Sequence, residues 1–258
     1  MSRVAKGLSI VAGGAVSAGR DSSSSFYGEG DRAAQQRGGG SVVQVSDPPP
    51  PPSAVPLPLR GRIPTLSELF AASPRDSGWA GFLLPQIDRS KPVLWVQERM
   101  GILESGRVYP PGLGQADILH VEARDARDAL WAMEEGVRCS ALSAVIGELW
   151  GDPAALDFTA TRRLAVASEC SHVPCWLVRL GGIANLSGAR MRWRVASAPS
   201  LLNVLDSRAP GLPTWDADLF RARGYPPGRW TVAHDSGAFH LVAGSGGRAL
   251  GEEQRLTA

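Results

Sequence analysis

Short apolar runs alternate with amphipathic segments through the middle of this chain, and that alternation restricts the fold more than any other feature of its 258 residues. Four runs have the length of a strand and are almost wholly apolar, as strands buried on both faces of a parallel sheet are. Two intervening segments repeat apolar residues at helical spacing. The strands are predicted at residues 93–96, 118–121, 142–146 and 174–178, and the helices at residues 123–138 and 159–171. This order predicts an α/β domain with a mainly parallel sheet flanked by helices.

The pattern changes after residue 179. Residues 191–195 alternate between apolar residues and arginine, which indicates a half-exposed strand. Three further strands are predicted at residues 215–221, 230–234 and 239–242, joined by turns rich in Pro, Gly, Asp and Ser. We expect these C-terminal strands to extend the sheet in antiparallel fashion rather than to form a separate domain.

Residues 63–87 have the layout of a strand, a turn and a helix start, which is where nucleotide-binding α/β proteins carry a phosphate loop. A working loop reads G-x-x-x-x-G-K-[ST]; its N–H groups cradle phosphates, its Lys neutralises them and its hydroxyl binds Mg²⁺. On this template the turn has Ser73 at the first position and keeps Gly78, but Trp79 replaces the Lys and Ala80 replaces the Ser/Thr.

These replacements remove the electrostatic groups on which phosphoryl transfer depends. Asp76 adds a negative charge to the turn, and Pro85 is expected to shorten or kink the helix that follows. No lysine lies between Lys6 and Lys91, so a small shift of the alignment does not restore the motif. We therefore predict a degenerate ATP site, no cofactor and no enzymatic activity. The four histidines show no metal-ligand spacing, so no metal site is predicted.

Composition divides the chain into three parts. Residues 1–56 contain serine, glycine and proline runs, and are predicted to be a disordered or flexible N-terminal region with a Pro-rich linker. Residues 57–245 form the predicted domain, and residues 246–258 a flexible tail. The first 20 residues resemble a signal peptide, but glycines interrupt their short apolar region, so a flexible start is preferred. A net charge of +2, three cysteines without disulfide or zinc spacing, and no long apolar run favour a cytoplasmic protein.

Four segments carry a family resemblance: PVLWVQERM at residues 92–100, ILHVEARDARDALWAMEEGVR at 118–138, GEL at 147–149 and TATRRLAVASECSHVPCWLVR at 159–179. They resemble the core of RecA and, more closely, the ImuA family of bacterial mutagenesis proteins. MRWRVASAPS at residues 191–200 is also similar to that family. The resemblance covers roughly residues 57–245.

The resemblance implies a RecA-like fold without a functional phosphate loop, and a role in error-prone translesion DNA synthesis during the SOS response. It implies three partners: an ImuB-like relative of the Y-family polymerases, an error-prone DnaE-type polymerase and RecA itself. DNA contact would be indirect or weak. The alternative is a SulA-type cell-division inhibitor that binds the division tubulin homologue, because SulA is also related to RecA and lacks a phosphate loop.

Two carboxylates follow predicted strands where the resemblance places ATPase groups. Glu98 stands at the position of the base that activates the attacking water, and Glu148 at that of the Mg²⁺-associated acid. Without a nucleotide site, we interpret Glu98 as a surface carboxylate paired with Arg99. Glu148 is interpreted as a relic or as a packing and hydrogen-bonding residue. A residual ATPase that uses Glu98 is the enzyme alternative.

Arginine and tryptophan cluster in the C-terminal part of the chain. Three interpretations are open: contact with DNA phosphates and bases, a solvated strand face over a buried Trp, and a protein-binding edge. We favour a protein partner over DNA. The candidate partner-binding residues are Arg190, Arg192, Trp193, Arg194, Arg221 and Arg223.

Overall fold

A computed structural model describes residues 65–109, 113, 117–203, 205–206, 208–235 and 238–242. Its strands are β1 (Leu66–Ala71), β2 (Val93–Glu98), β3 (Ile118–Ala123), β4 (Ala144–Trp150), β5 (Cys175–Leu180), β6 (Met191–Ala198), β7 (Thr214–Ala222), β8 (Gly228–Asp235) and β9 (Ala238–Leu241). Its α-helices are α1 (Gly78–Leu83), α2 (Arg99–Ser105), α3 (Ala126–Val137) and α4 (Phe158–Ser171), and a 3₁₀ turn spans Leu84–Gln86. No described helix is long and apolar enough to cross a membrane.

The described strands form one sheet in the order β3-β2-β4-β5-β1-β6-β7-β8-β9. All pairings from β3 to β6 are parallel, and those from β6 to β9 are antiparallel. The predicted fold class is therefore confirmed: a mainly parallel sheet flanked by helices, with antiparallel strands at the C-terminal end.

Two predicted strands differ in solvent exposure from what the sequence indicated. The strand at residues 191–195 is not half-exposed; it belongs to β6, pairs in parallel with β1 and is largely buried. β3 is not buried on both sides but lies at the edge of the sheet, where Leu119 is 38% exposed. An apolar run marks a strand, but it does not distinguish a central strand from an edge strand whose face is covered.

Helices cover the sheet from both sides. On one face, α1 and the 3₁₀ turn bury Trp79, Phe82 and Leu83 against the strands. On the other face, α3 and α4 pack on a second apolar cluster. The packing there is close: a Cβ on Gly147 would lie 2.1 Å from Sδ of Met133.

Aspartates cap the starts of the two long helices. Asp125 caps α3 by accepting the N–H of Asp128 at 2.9 Å, and Asp157 caps α4 by accepting the N–H of Ala160 at 2.7 Å. Pro85 lies in the 3₁₀ turn directly after α1, as expected for a residue that cannot donate an N–H within a helix. α2 was not predicted. The N-terminal region, residues 1–56, and the tail, residues 246–258, lie outside the described residues, so those domain bounds stay predictions.

Candidate functional site

The turn after β1 lies at the carboxyl ends of the central parallel strands. β1 is flanked by β5 and β6, and its connection passes through α1 on one face of the sheet while α4 lies on the other. Open α/β sheets bind ligands at such a position, where neighbouring strands connect in opposite directions. The predicted strand, turn and helix are present, because β1 ends at Ala71 and α1 begins at Gly78.

The carboxylate of Asp76 occupies the inside of this turn. It accepts the backbone N–H of Gly78 at 2.8 Å, the backbone N–H of Ser197 at 2.9 Å and the Ser197 hydroxyl at 2.6 Å. Partial burial acts to raise the pKa of Asp76, but the hydrogen bonds from Ser197 and Gly78 together outweigh it and hold the pKa below its ordinary value. The N–H that a phosphate loop offers to its ligand is thus bonded to the protein's own carboxylate.

Close packing leaves little room around the turn. A Cβ on Gly78 would lie 2.2 Å from Oγ of Ser197, so a side chain there would require Ser197 to move. Gly181, in the loop after β5, has φ +72°, and a Cβ there would lie 3.0 Å from Cγ of Pro74. Ser73 is exposed, and its carbonyl accepts the N–H of Asp76 at 3.1 Å. The turn is therefore held by both β6 and the loop that follows β5.

Trp79, at the template's Lys position, points into the core. Its side chain is 6% exposed, and its ring centre lies 6.1 Å from that of Trp95 on β2. Ala80 is half-buried against the same cluster. No cationic or hydroxyl side chain therefore occupies these two positions of the turn.

Glu148 is buried beside Trp95. Its carboxylate accepts hydrogen bonds from the Trp95 indole N–H and, at 3.2 Å, from the Gln97 side chain. Burial raises the pKa of Glu148 to about 7, and the two hydrogen bonds only partly oppose the effect. Gln97 also bonds the backbone of Gly106 and Val108 and the ring of His120 at 2.9–3.1 Å. Glu148 is thus a buried hydrogen-bonding residue in a network that spans three strands.

The interpretation of Glu98 as a surface carboxylate paired with Arg99 is wrong. Glu98 is 8% exposed and accepts the backbone N–H of Trp150 at 3.1 Å. Arg99 is exposed and forms no ion pair with a described residue. The error arose because β2 continues through Glu98, so the side chain lies within the sheet and not beyond it.

Sequence reasoning missed a buried ionic cluster near the turn. Glu68 on β1 is fully buried; it accepts Nε of Arg192 at 2.6 Å and the hydroxyl of Ser187 at 2.9 Å, and lies 4.0 Å from Nη1 of Arg179. Arg179 also bonds the carboxylate of Asp152 in the loop after β4. The signal in the sequence was the charged Glu68 between the apolar residues Leu66 and Phe70. In the sheet, the two strands that flank β1 each carry an arginine, Arg179 on β5 and Arg192 on β6.

Comparison with known proteins gives a family. No family model matches the chain. Protein ImuA of Caulobacter vibrioides strain NA1000 / CB15N is 32% identical over 168 residues, a match that covers 58% of this chain and 66% of the relative. Protein ImuA of strain ATCC 19089 / CIP 103742 / CB 15 of the same species gives the same values. The chain belongs, as a distant member, to the ImuA family. The match spans slightly less than two thirds of the ImuA relatives.

In this ImuA-family chain, the six candidate partner-binding residues do not share one surface. Arg192 is 4% exposed and Trp193 is fully buried, so both are removed from any exposed surface. Arg190 pairs with Glu169 on α4 at 2.6 Å. Arg194, Arg221 and Arg223 are exposed. The alternation of MRWRV was misleading because Arg192 is buried, bonded to Glu68 and lying over the ring of Phe70.

The described part of this ImuA-family chain holds no group of three or more His, Cys, Asp or Glu residues arranged to bind a metal ion. Its three cysteines are free; Cys175 is buried, and burial raises the pKa of its thiol.

Proposed function

We propose that this chain is a non-catalytic, RecA-like adaptor in an SOS-induced, error-prone translesion DNA synthesis complex. Membership of the ImuA family supports this proposal. The partners that the family resemblance suggests are an ImuB-like relative of the Y-family polymerases, a DnaE-type polymerase and RecA. The proposed location is the cytoplasm, and DNA contact is indirect or weak.

The observation that carries the non-catalytic part of the proposal is the position of Asp76. Its carboxylate accepts the N–H of Gly78. A nucleotide phosphate would have to displace this carboxylate, and the two negatively charged groups repel each other. Trp79 in the core offers no charge in compensation. These features support the proposal that the fold serves to present binding surfaces and not to bind a nucleotide.

The nucleotide part of the proposal is tested by titrating the chain with a fluorescent ATP analogue. We expect no saturable binding. Glu98 is engaged with the backbone of Trp150, which disfavours a role as a catalytic base. Saturable micromolar binding that is lost in Glu98→Gln would overturn the proposal in favour of a residual ATPase.

The adaptor part is tested by binding between purified proteins. The chain is expected to bind the ImuB-like subunit directly, and to be recovered with it and the DnaE-type polymerase from DNA-damaged cells. If the chain binds the division tubulin homologue and none of the polymerase subunits, the SulA-type alternative replaces this proposal.

A further inference from the structure

One face of the sheet is covered by helices over only part of its width. Beneath α3 and α4, the apolar cluster contains strand residues from β1 to β5 and none from β6 to β9. Parallel strands normally have both faces covered, because they are apolar on both sides, whereas antiparallel strands can leave one polar face open. Over β6, β7 and β8 the described chain therefore lacks the helical layer found on the rest of this face.

Arginine side chains take the place of that layer. The guanidinium of Arg192 lies 5.3 Å from the ring centre of Phe70 and 5.2 Å from that of Phe220. Arg194 lies 4.0 Å from the centre of the Phe220 ring, and the two rings meet edge to face at 5.8 Å. Cation–π contacts of this kind hold guanidinium groups in place. The face is consequently ordered and cationic.

Carboxylates do not balance the charge of these arginines. Arg192 is bonded to Glu68, yet its Nη2 is buried without a hydrogen-bond partner among the described residues. Arg194 and Arg229 share a single carboxylate, that of Asp218, at 3.5 and 3.4 Å. Each such pair is long and partly exposed, so it offsets little of the positive charge.

A further arginine, Arg221, adds to the excess of positive charge on this face. Arg221 lies directly opposite Arg192 across the β6–β7 pair, next to a bulge. Like charges opposite each other in neighbouring strands destabilise the pairing. Arg221 is exposed and forms no ion pair with a described residue. A negatively charged partner beside the exposed Arg221 would relieve this repulsion.

We propose that an acidic helix of a protein partner packs on this open face, defined by Arg194, Asp218, Arg221 and Arg229. The inference rests on the proposed function and names the surface and the chemistry by which the adaptor holds a partner. Strands lie about 4.8 Å apart, so three strands present a strip about 10 Å wide. That width matches the diameter of a helix, about 10 Å. Glu side chains one helical turn apart then meet guanidinium groups on neighbouring strands.

Nucleic acid fits the open face less well. Single strands bind where aromatic rings offer a free face to bases. Here Phe220 is half-buried beneath guanidinium groups, and Trp193 is buried on the opposite side of the sheet.

Three probes test the surface: a helical peptide of about 18 residues with Glu along one side, the same peptide with Gln in place of Glu, and a single-stranded oligonucleotide. The full chain is expected to bind the Glu peptide at least about tenfold more tightly than the Gln peptide. The double variant Arg194→Glu, Arg221→Glu is expected to lose that preference. Arg127→Glu, at an exposed arginine on α3, is the matched control and keeps it.

Equal binding of the two peptides by the wild-type chain overturns the inference. So does tighter binding of the oligonucleotide that is lost in the same double variant. Thermal unfolding checks that each variant is folded, and Arg194→Gln, Arg221→Gln replaces the charge reversal if the latter unfolds.

The same variants separate this inference from the proposed function. If the wild-type chain and the double variant bind the ImuB-like subunit equally well, the adaptor role stands and the open face is not its docking surface. If the wild-type chain does not bind that subunit, the adaptor role fails, and the peptide titration alone decides the chemistry of the face.

Discussion

Asp76 and Ser197, separated by 121 positions in the chain, are joined by two hydrogen bonds to the Asp76 carboxylate, from the backbone N–H and the hydroxyl of Ser197. The bonds tie the turn after β1 to the end of β6. Because the same carboxylate also accepts the N–H of Gly78, the turn is closed by groups of the chain itself.

We expect Asp76→Ala to lower the free energy of unfolding by about 2 kcal/mol, because it leaves two N–H groups and a hydroxyl without their acceptor. Asp88→Ala is the control, since Asp88 is exposed and its hydrogen bonds stay local, with Ser90 and the backbone of Arg89. Urea unfolding at neutral pH measures both. The pKa of Asp76 is depressed, so its contribution is present above its unfolded pKa of about 3.8 and is lost as the pH falls. Equal effects of the two substitutions would contradict this account.

Substitutions at two glycines distinguish the effect of close packing on stability from the effect of helix propensity. Gly78→Ala is expected to destabilise the protein by about 2 kcal/mol, since the added Cβ would lie 2.2 Å from Oγ of Ser197 and 2.9 Å from Oδ1 of Asp76. Gly101→Ala, within α2, has nothing within 4 Å of the added atom. It is expected to stabilise by about 0.5–1 kcal/mol because alanine is the better helix former. Thermal denaturation gives both signs, and stabilisation by Gly78→Ala would refute the close contact.

The same substitution can be compared at a buried tryptophan, Trp79, and at an exposed one, Trp131. Trp79→Ala is expected to cost about 3–5 kcal/mol, because it empties a buried site against Trp95. Trp131 on α3 is 62% exposed, so Trp131→Ala is expected to change stability by about 0.5 kcal/mol at most. Chemical denaturation compares the two. A similar small loss for both variants would mean that the Trp79 ring does not fill the core.

Glu148→Gln tests the buried carboxylate through the pH dependence of the free energy of unfolding. The pKa of Glu148 is raised from 4.5 to about 7, so the folded protein holds the proton more strongly than the unfolded chain. The stability that it contributes is present in full below about pH 4.5 and is lost as the pH rises through 7, by about 3 kcal/mol. Glu148→Gln removes this dependence.

Unfolding free energies of both proteins are measured from pH 4.5 to 8. His120, whose pKa is lowered by burial, then by Arg107, titrates in both proteins, so the difference between them isolates Glu148. Parallel pH profiles would show that the carboxylate is not desolvated.

The sequence predicted what depends on neighbouring residues. Apolar patterns located the described strands from β2 to β9, because burial on one or two faces leaves a local signature, and β1 was expected from the layout of residues 63–87. The caps Asp125 and Asp157 are local signals of the same kind, because each accepts an N–H three positions away. α2 was missed because it is short and has Gly101 near its start.

What the sequence did not predict depends on pairs far apart in the chain. Glu68 and Arg192 are 124 positions apart, so no local pattern links the two charges. The parallel pairing of β6 with β1 is likewise a property of the sheet, since alternation within a strand does not identify its neighbour. The turn was recognised as degenerate from Trp79 and Ala80, but its closure by Ser197 required the fold.

The central position of β1 has a consequence for the order in which the protein is made. Both neighbours of β1 lie more than 100 residues later in the chain, since Leu66 pairs with Cys175 and Ser67 with Met191. During synthesis, β1 must therefore wait with both hydrogen-bonding edges open until β5 and β6 have left the ribosome. Sheets completed by such distant segments fold slowly and expose aggregation-prone edges. A nascent chain that stops before β6 leaves Asp76 without Ser197, so the turn after β1 cannot close until β6 has been made.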